Sequence, residues 1–500
     1  MRVRDVRADT TLTLRIKNAM MELDNLIGGR HCKPVSASFF DKLAPATGQR
    51  LARVPASNRE DVDRAVKAAH TALREGAWAN AGGAARARWL NRLADLIERD
   101  SSTLQMLLAD EQGRPPIEMR MMDVPMSVDV LRYFAGWADK LEGRTIPTDG
   151  FMGRTTLNYT KRMPVGVAAQ IIPWNAPLMI AVWKLAPALA AGCTVVVKPS
   201  EDAPLAVARL GELAREAGIP DGVVNIVHGV GSEVGPALVA HPLVSKISFT
   251  GSTEVGRSIA CEAAKTFKRV TLELGGKAAQ IVFADANLEQ LIPALVLGMF
   301  VNQGQTCAAG SRVLVHRSLA PAVEARLADA ARAMRVGPPS DPSSQMGALI
   351  NQRHLARVRA HVDGAIAEGA VRLAGDEAVP EHGYFMRPTV LGGVHPRMRI
   401  ASEEVFGPVG MVMPFDSEDE AIRIANDTLY GLSASLWTQD LSTAHRAADR
   451  LEVGAVAINC WSPLDARLPW GGIKHSGIGR DLSRAALESY LEEKVITAAL

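Results

Sequence analysis

Cys307 stands in FVNQGQTCAAGSR, residues 300–312, a run with no histidine, no second cysteine and a single charge. A lone thiol of this kind is either a buried structural cysteine or a nucleophile, since cysteine is intrinsically reactive even when little of it is thiolate. Glu273 opens ELGGK (273–277), at the carboxyl end of an apolar run and before Gly275 and Gly276. A carboxyl group so placed has a raised pKa and suits a general base; the competing reading is a partnered acid that serves a glycine hinge. Asn175, in PWNAP (173–177), offers an amide donor without an ionisable proton, suited to a developing oxyanion, or else an Asx turn between prolines.

Other candidates are suited to a nucleotide. In KPSE (198–201), Lys198 and Glu201 fit a ribose, because a carboxylate accepts from both hydroxyls and repels a 2′-phosphate, favouring NAD over NADP. A helix-start acid beside a surface lysine is the alternative. HGVGSEVG (228–235) carries Gly229, Gly231 and Gly235, and FTGSTEVG (249–256) carries Gly251, Ser252 and Gly256. Both bring glycine and a hydroxyl to a helix start, where backbone N–H groups meet phosphate. Neither matches GxGxxG, and an ordinary strand–helix turn reads the same way.

Positioning these residues requires a sheet. Apolar strands are expected at 165–172, 194–198, 223–227, 246–250 and 269–274, with helices at about 178–191, 203–217, 232–240 and 253–264. Such alternation predicts a parallel sheet covered on both faces, with ligands at the strands' carboxyl ends, where each candidate falls. A second alternating region runs from about 281 to 460, with strands near 312–316 and 455–459. Upstream, SNRE (57–60) reads as a capping box on Ser57 and Glu60 for a helix to about Arg74, and a second helix carries Leu90, Leu93, Leu96 and Ile97 on one face. The Thr-rich stretch 143–164 reads as a hairpin and the tail ends β-prone; exposed strands of this kind need cover, so an oligomer is expected.

Length implies more than one domain: the chain has 500 residues, 47% of them hydrophobic and 22% charged. Lys plus Arg (56) balances Asp plus Glu (54), so no global field favours nucleic acid or an anionic membrane. No apolar run reaches spanning length, and residues 1–20 match neither a signal nor a transit peptide, so a dispensable extension and a cytoplasmic protein are expected. The five cysteines contain no CxxC and the histidines no ligand spacing; no disulfide framework and no catalytic metal are expected. Cys32, Cys193, Cys261 and Cys460 read as core residues.

With Asn175, Lys198, Glu201, Glu273 and Cys307 in this order, and EEVFGP at 403–408, the chain from about 24 to 497 resembles the aldehyde dehydrogenase superfamily. LELGGK and NQGQTC are close to its signatures. The resemblance implies an α/β protein: a Rossmann-like NAD-binding domain (21–142 and 165–275), an α/β catalytic domain (276–475), and a small β oligomerisation element (143–164 and 483–500) that builds a homodimer or homotetramer. It implies that Cys307 is the nucleophile, Glu273 the base, and Asn175 with the Cys307 N–H the oxyanion hole. Lys198 and Glu201 would hold the adenosine ribose of NAD, Ser252 the pyrophosphate, and Glu404 and Phe406 the nicotinamide half, with Ile171, Pro173, Trp174, Ser200, Gly231, Gly235, Phe249, Gly251, Leu274 and Gly275 as further cofactor-binding residues. Attack on an aldehyde gives a thiohemiacetal, hydride loss a thioester, and hydrolysis an acid; coenzyme A-acylating relatives generally lack the carboxylate at Glu273. A small uncharged neighbourhood lets cofactor and substrate both reach the sulfur.

Two departures bear on the chemistry. The family's GRE is GRD here, placing Asp481 where a longer acid is linked to a proton relay through the lysine matching Lys184, which puts the relay in doubt. PFGG is PWGG at 469–472, as in betaine- and aminoaldehyde-oxidising relatives. Their aromatic box is half present: Trp183 and Trp470 match it, Ala176 and Val301 do not. A wider tunnel of Ala176, Met179, Trp183, Val301, Thr306, Trp461 and Trp470 is expected to take a bulky or aromatic aldehyde, with betaine aldehyde as the alternative. A cysteine-dependent esterase without cofactor turnover is the alternative of another class.

Overall fold

The computed structural model describes residues 21–461 and 464–500; the extension expected at 1–20 lies outside them. The five expected strands form at Val167–Ile171, Thr194–Lys198, Val224–Ile226, Val244–Thr250 and Arg269–Glu273, each within three residues of its expected bounds at either end. All five are parallel, in the order third, second, first, fourth, fifth. The order reverses beside the first strand, so the crevice at its carboxyl end, between Pro173 and Thr250, is the topological switch point where such sheets bind ligands. Asn25–Ile27 and Arg30–Cys32 extend one edge antiparallel, and Gly477–Ile478 the other.

The helix Pro177–Ala191 shows how sequence dictates place. Pro177 fits its first turn, Gly192 ends it with a left-handed φ of 95°, and every side chain between is buried. A helix apolar all round has no solvent face and must lie in the core. Its single charge, Lys184, therefore needs a buried partner. The helix Arg59–Arg74 begins one residue later than the SNRE reading: Asn58 is the N-cap and Asp61 completes the box, while Ser57 accepts from the Asn25 amide. Asparagine displaces serine because Ser57 is committed across the sheet edge.

A second sheet of seven strands holds Ala279–Val282, Arg312–His316, Val409–Phe415, Thr389–Gly392, Ser433–Trp437 and Ala455–Ile458 in parallel, with Val371–Ala374 antiparallel at its edge. The stretch 143–164 does turn back on itself near Phe151–Arg154, and Thr145 bridges Tyr159. Its main partner, however, is the tail: Thr156–Pro164 pairs antiparallel with Leu491–Ala499 over nine residues. Leu157, Tyr159 and Val495 remain exposed on this ribbon. Among the cysteines outside the crevice only Cys193 is fully buried; Cys261 and Cys460 are exposed, correcting the core reading, because each lies on a solvent-facing turn of helix or loop. Among the described residues no helix is long and apolar enough to cross a membrane, and no group of His, Cys, Asp and Glu could hold a metal.

Candidate active site

Two cavities meet at Cys307, and Asn175 and Thr250 line both with it. The first, of roughly 310 Å³, also holds Glu273 and all seven expected tunnel residues: Ala176, Met179, Trp183, Val301, Thr306, Trp461 and Trp470. The second, of roughly 380 Å³, lies over the switch point and is lined by Pro173, Trp174, Gly251, Ser252, Leu274, Gly275, Glu404 and Phe406. The sulfur thus lies where an apolar tunnel and a nucleotide-sized crevice join.

The two glycines of LELGGK have a different use from the hinge expected of them. A Cβ on Gly276 would come within 2.2 Å of the Cys307 carbonyl, and one on Gly275 within 2.6 Å of Glu404 Oε2. Only glycine lets this strand end pass so close to the nucleophile loop. Gly471 of PWGG is excluded from bearing a side chain by Glu273 Oε1, 2.4 Å from its would-be Cβ. Glu273 is 4% exposed, and Oε1 has no hydrogen-bond partner. Burial, then the nearby Asp481 carboxylate, raises its carboxyl pKa well above the ordinary value. The Cys307 thiol is pushed up to about 12 by burial and then by Glu273 and Glu404. Thiolate and carboxylate oppose each other here, so the site favours the protonated thiol.

Asn175 donates one amide hydrogen to the Gln305 carbonyl at 3.0 Å, which leaves the second for a ligand. Lys184 Nζ and Asp481 Oδ2 form a buried pair at 2.8 Å, so the shorter acid still reaches the lysine. Asp481 also exchanges both backbone hydrogen bonds with Trp470, tying the GRD and PWGG segments together. At the other end, Glu201 accepts from Lys198 Nζ at 3.3 Å and from the Gly231 N–H at 3.1 Å. Ile171 is buried at its strand end, Phe249 fills the space that keeps Gly251 a glycine, and Gly235 faces open space. Ser252 caps the helix Thr253–Ala264. Ser200 is buried and accepts from the Asp202 N–H. Glu404 accepts from the Gly276 N–H at 2.9 Å, and burial lifts its carboxyl to about 7. Phe406, with φ 57°, packs edge-on to Trp174.

Sequence reasoning missed several lining residues. Arg114, Met121, Met122, Met126 and Ile180 join the tunnel, and His354 and Arg357 the crevice. The methionine-rich run MRMMDVPM (119–126) carried a signal, since adaptable thioethers suit a variable apolar wall. Arg114 and His354 arrive from far along the chain with no local pattern. Thr250, whose buried hydroxyl lacks a partner, was overlooked within a quoted motif.

The residues present suit a nicotinamide dinucleotide: a carboxylate at each end for ribose hydroxyls, a helix N-terminus with Ser252 between them for pyrophosphate, and an unpaired Thr250 hydroxyl at the junction. Residues 32–496 match the model of the aldehyde dehydrogenase family. Human retinaldehyde dehydrogenase 3 is 43% identical over 467 residues, covering 93% of this chain and 90% of its own. Among solved structures, an NAD+ complex of aldehyde dehydrogenase from Bacillus cereus superposes with a TM-score of 0.95 at 41% identity, covering 99% and 100% of the two chains. Betaine aldehyde dehydrogenase from Staphylococcus aureus with NAD+ gives 0.93 at 37%, covering 98% and 97%.

Proposed function

The chain belongs to the aldehyde dehydrogenase family and is an oxidoreductase, and from that premise we propose that it oxidises a bulky or aromatic aldehyde to its carboxylic acid with NAD. The observation that carries this reading is the single sulfur shared by tunnel and crevice, with Glu273 on the tunnel side. Cys307 Sγ bonds to the aldehyde carbon as its proton passes to solvent water, and the carbonyl oxygen becomes an oxyanion held by the free Asn175 amide hydrogen and the Cys307 N–H. Glu404 and Phe406 would hold the nicotinamide half of NAD beside the sulfur, where the cofactor would supply a hydride acceptor and a positive ring that offsets the local carboxylates. The thioester that remains on Cys307 is attacked by water whose proton passes to Glu273; the carbon–sulfur bond breaks and the acid departs. The buried Lys184–Asp481 pair lies near enough to act on Glu273 electrostatically, and a relay of its proton through that pair is part of this reading.

Tunnel chemistry supports a large apolar substrate: four methionines and three tryptophans line it, and Ala176 and Val301 leave it wide. The runner-up is betaine aldehyde, favoured by Trp183 and Trp470, whose ring faces suit a quaternary ammonium. A panel of aromatic, long-chain and betaine aldehydes, read as NADH absorbance, decides between them. Highest kcat/KM is expected for the bulky apolar members; a clear preference for betaine aldehyde would reverse the assignment. The carboxylate of Glu201 opposes a 2′-phosphate, so kcat/KM with NADP should fall on the order of tenfold or more below NAD. Ester hydrolysis without NADH from any aldehyde would instead mark a cofactor-independent hydrolase.

The division into a dinucleotide-binding domain (21–142 and 165–275), a catalytic domain (276–475) and an oligomerisation element (143–164 and 483–500) is part of this proposal. The ribbon Thr156–Pro164 with Leu491–Ala499, exposing Leu157, Tyr159 and Val495, suits a subunit interface. A homodimer or homotetramer is expected by light scattering; a monomeric mass would remove that assignment.

A further inference from the structure

Asn175 is fixed from both sides by a buried network that no catalytic step uses. Its backbone carbonyl accepts from Asn302 Nδ2 at 2.7 Å and from Arg114 Nη1 at 3.5 Å. The same Asn302 amide donates to the Gln305 carbonyl at 3.1 Å, the acceptor that holds the Asn175 side chain. Asn302 itself has φ 52° and the next residue, Gln303, φ 55°, a left-handed pair rare outside glycine. What holds this turn is Glu118, whose Oε2 accepts the Asn302 N–H at 3.1 Å. Glu118 also accepts from Arg114 Nε at 3.0 Å, and Arg114 reaches both oxygens of Asp123 at 3.2 Å. Strained backbone persists only where its surroundings over-determine it, and such sites cluster at working centres.

We infer that Asn302, held in its left-handed turn by Glu118 and Arg114, is a positioning residue that sets the oxyanion-donor geometry of Asn175. The inference rests on the reading of Asn175 as that donor. One carboxamide bridges the loop after the first strand of the dinucleotide sheet and the loop bearing Cys307, so the amide and the sulfur are placed relative to one another. Arg114 and Asp123 also line the tunnel, so the clamp ties its wall to the reacting centre.

Asn302→Gly is the informative variant. Glycine takes a φ of 52° without strain while losing both amide hydrogen bonds, whereas Arg114→Met would leave two buried carboxyls unpaired and risks the fold. The expected result is a kcat lower by between about tenfold and a hundredfold with KM held within about twofold, because small displacements of a catalytic donor have effects of that size. Alkylation of Cys307 by iodoacetamide, which forms no oxyanion, should change by less than about twofold. Asn175→Ala alone should cost about 10² to 10³ in kcat. The double variant should match Asn175→Ala alone, since removing the donor removes what Asn302 positions. Effects that multiply in the double variant, or an alkylation rate that falls in step with kcat, would overturn the positioning role while leaving the donor assignment intact. Full turnover in Asn175→Ala would instead overturn the donor assignment and this inference with it.

Discussion

Cys307→Ser is expected to abolish aldehyde oxidation, lowering kcat by roughly 10⁴-fold or more, while NAD still binds. The size follows from what surrounds the side chain. A hydroxyl is far less acidic than a thiol and needs an adjacent base, yet the tunnel offers Glu273, whose carboxyl pKa burial and then Asp481 raise well above the ordinary value. The thiol manages because sulfur is the better nucleophile even from a pKa pushed up to about 12. Dinucleotide binding should survive, since the Glu201 carboxylate, the Ser252 helix start and the Glu404 carboxylate do not use the sulfur. Trp174 lines the crevice, so quenching of its fluorescence by NAD measures binding independently of turnover. More than a few per cent of wild-type turnover in the serine variant, on the order of 10⁻² or above, would remove Cys307 from its role.

Much of this arrangement was legible because the sheet enforces it. Strand bounds such as Thr194–Lys198 and Arg312–His316 follow from short apolar runs rich in valine, which favours strands. Asn175 and Ser252 follow strands and Glu273 ends one, and strand ends in a parallel sheet must converge on one crevice. The contacts between distant segments were not legible. Gly276 reads as a hinge until the Cys307 carbonyl is placed against it, and no local pattern marks Arg114, which Asp123 and Glu118 enclose. The shorter acid in GRD puts the relay in doubt from sequence alone; in the fold Asp481 pairs with the Trp470 backbone and lies 2.8 Å from Lys184. Side-chain length could be read from the chain, but the backbone pairing that places the side chain could not.

Glu273→Gln should separate the two halves of the reaction. Acylation of Cys307 needs no base at that position once the oxyanion is held, so a first turnover of NADH should still appear. Hydrolysis does need it, and loss of a positioned general base typically costs about 10² to 10⁴ in rate. The expected record is a burst followed by slow steady state, with acyl-enzyme visible by intact mass; unchanged steady-state turnover would count against the base assignment. The pH dependence has a fixed sign. Wild-type hydrolysis should rise with pH as Glu273 gives up the proton that burial and Asp481 hold on it, and the variant should lack this rise. Stability moves the other way. A carboxyl whose folded pKa lies above its unfolded value keeps a proton that the unfolded chain has lost, so its contribution is complete below the unfolded pKa and is lost as pH climbs through the folded one. Glu273→Gln cannot ionise and escapes that loss. Its melting temperature should therefore gain on wild type as pH increases, the separation growing over the range in which hydrolysis by the wild type accelerates. One buried carboxyl then accounts for both trends, because the charge that activates water is the charge the folded site disfavours.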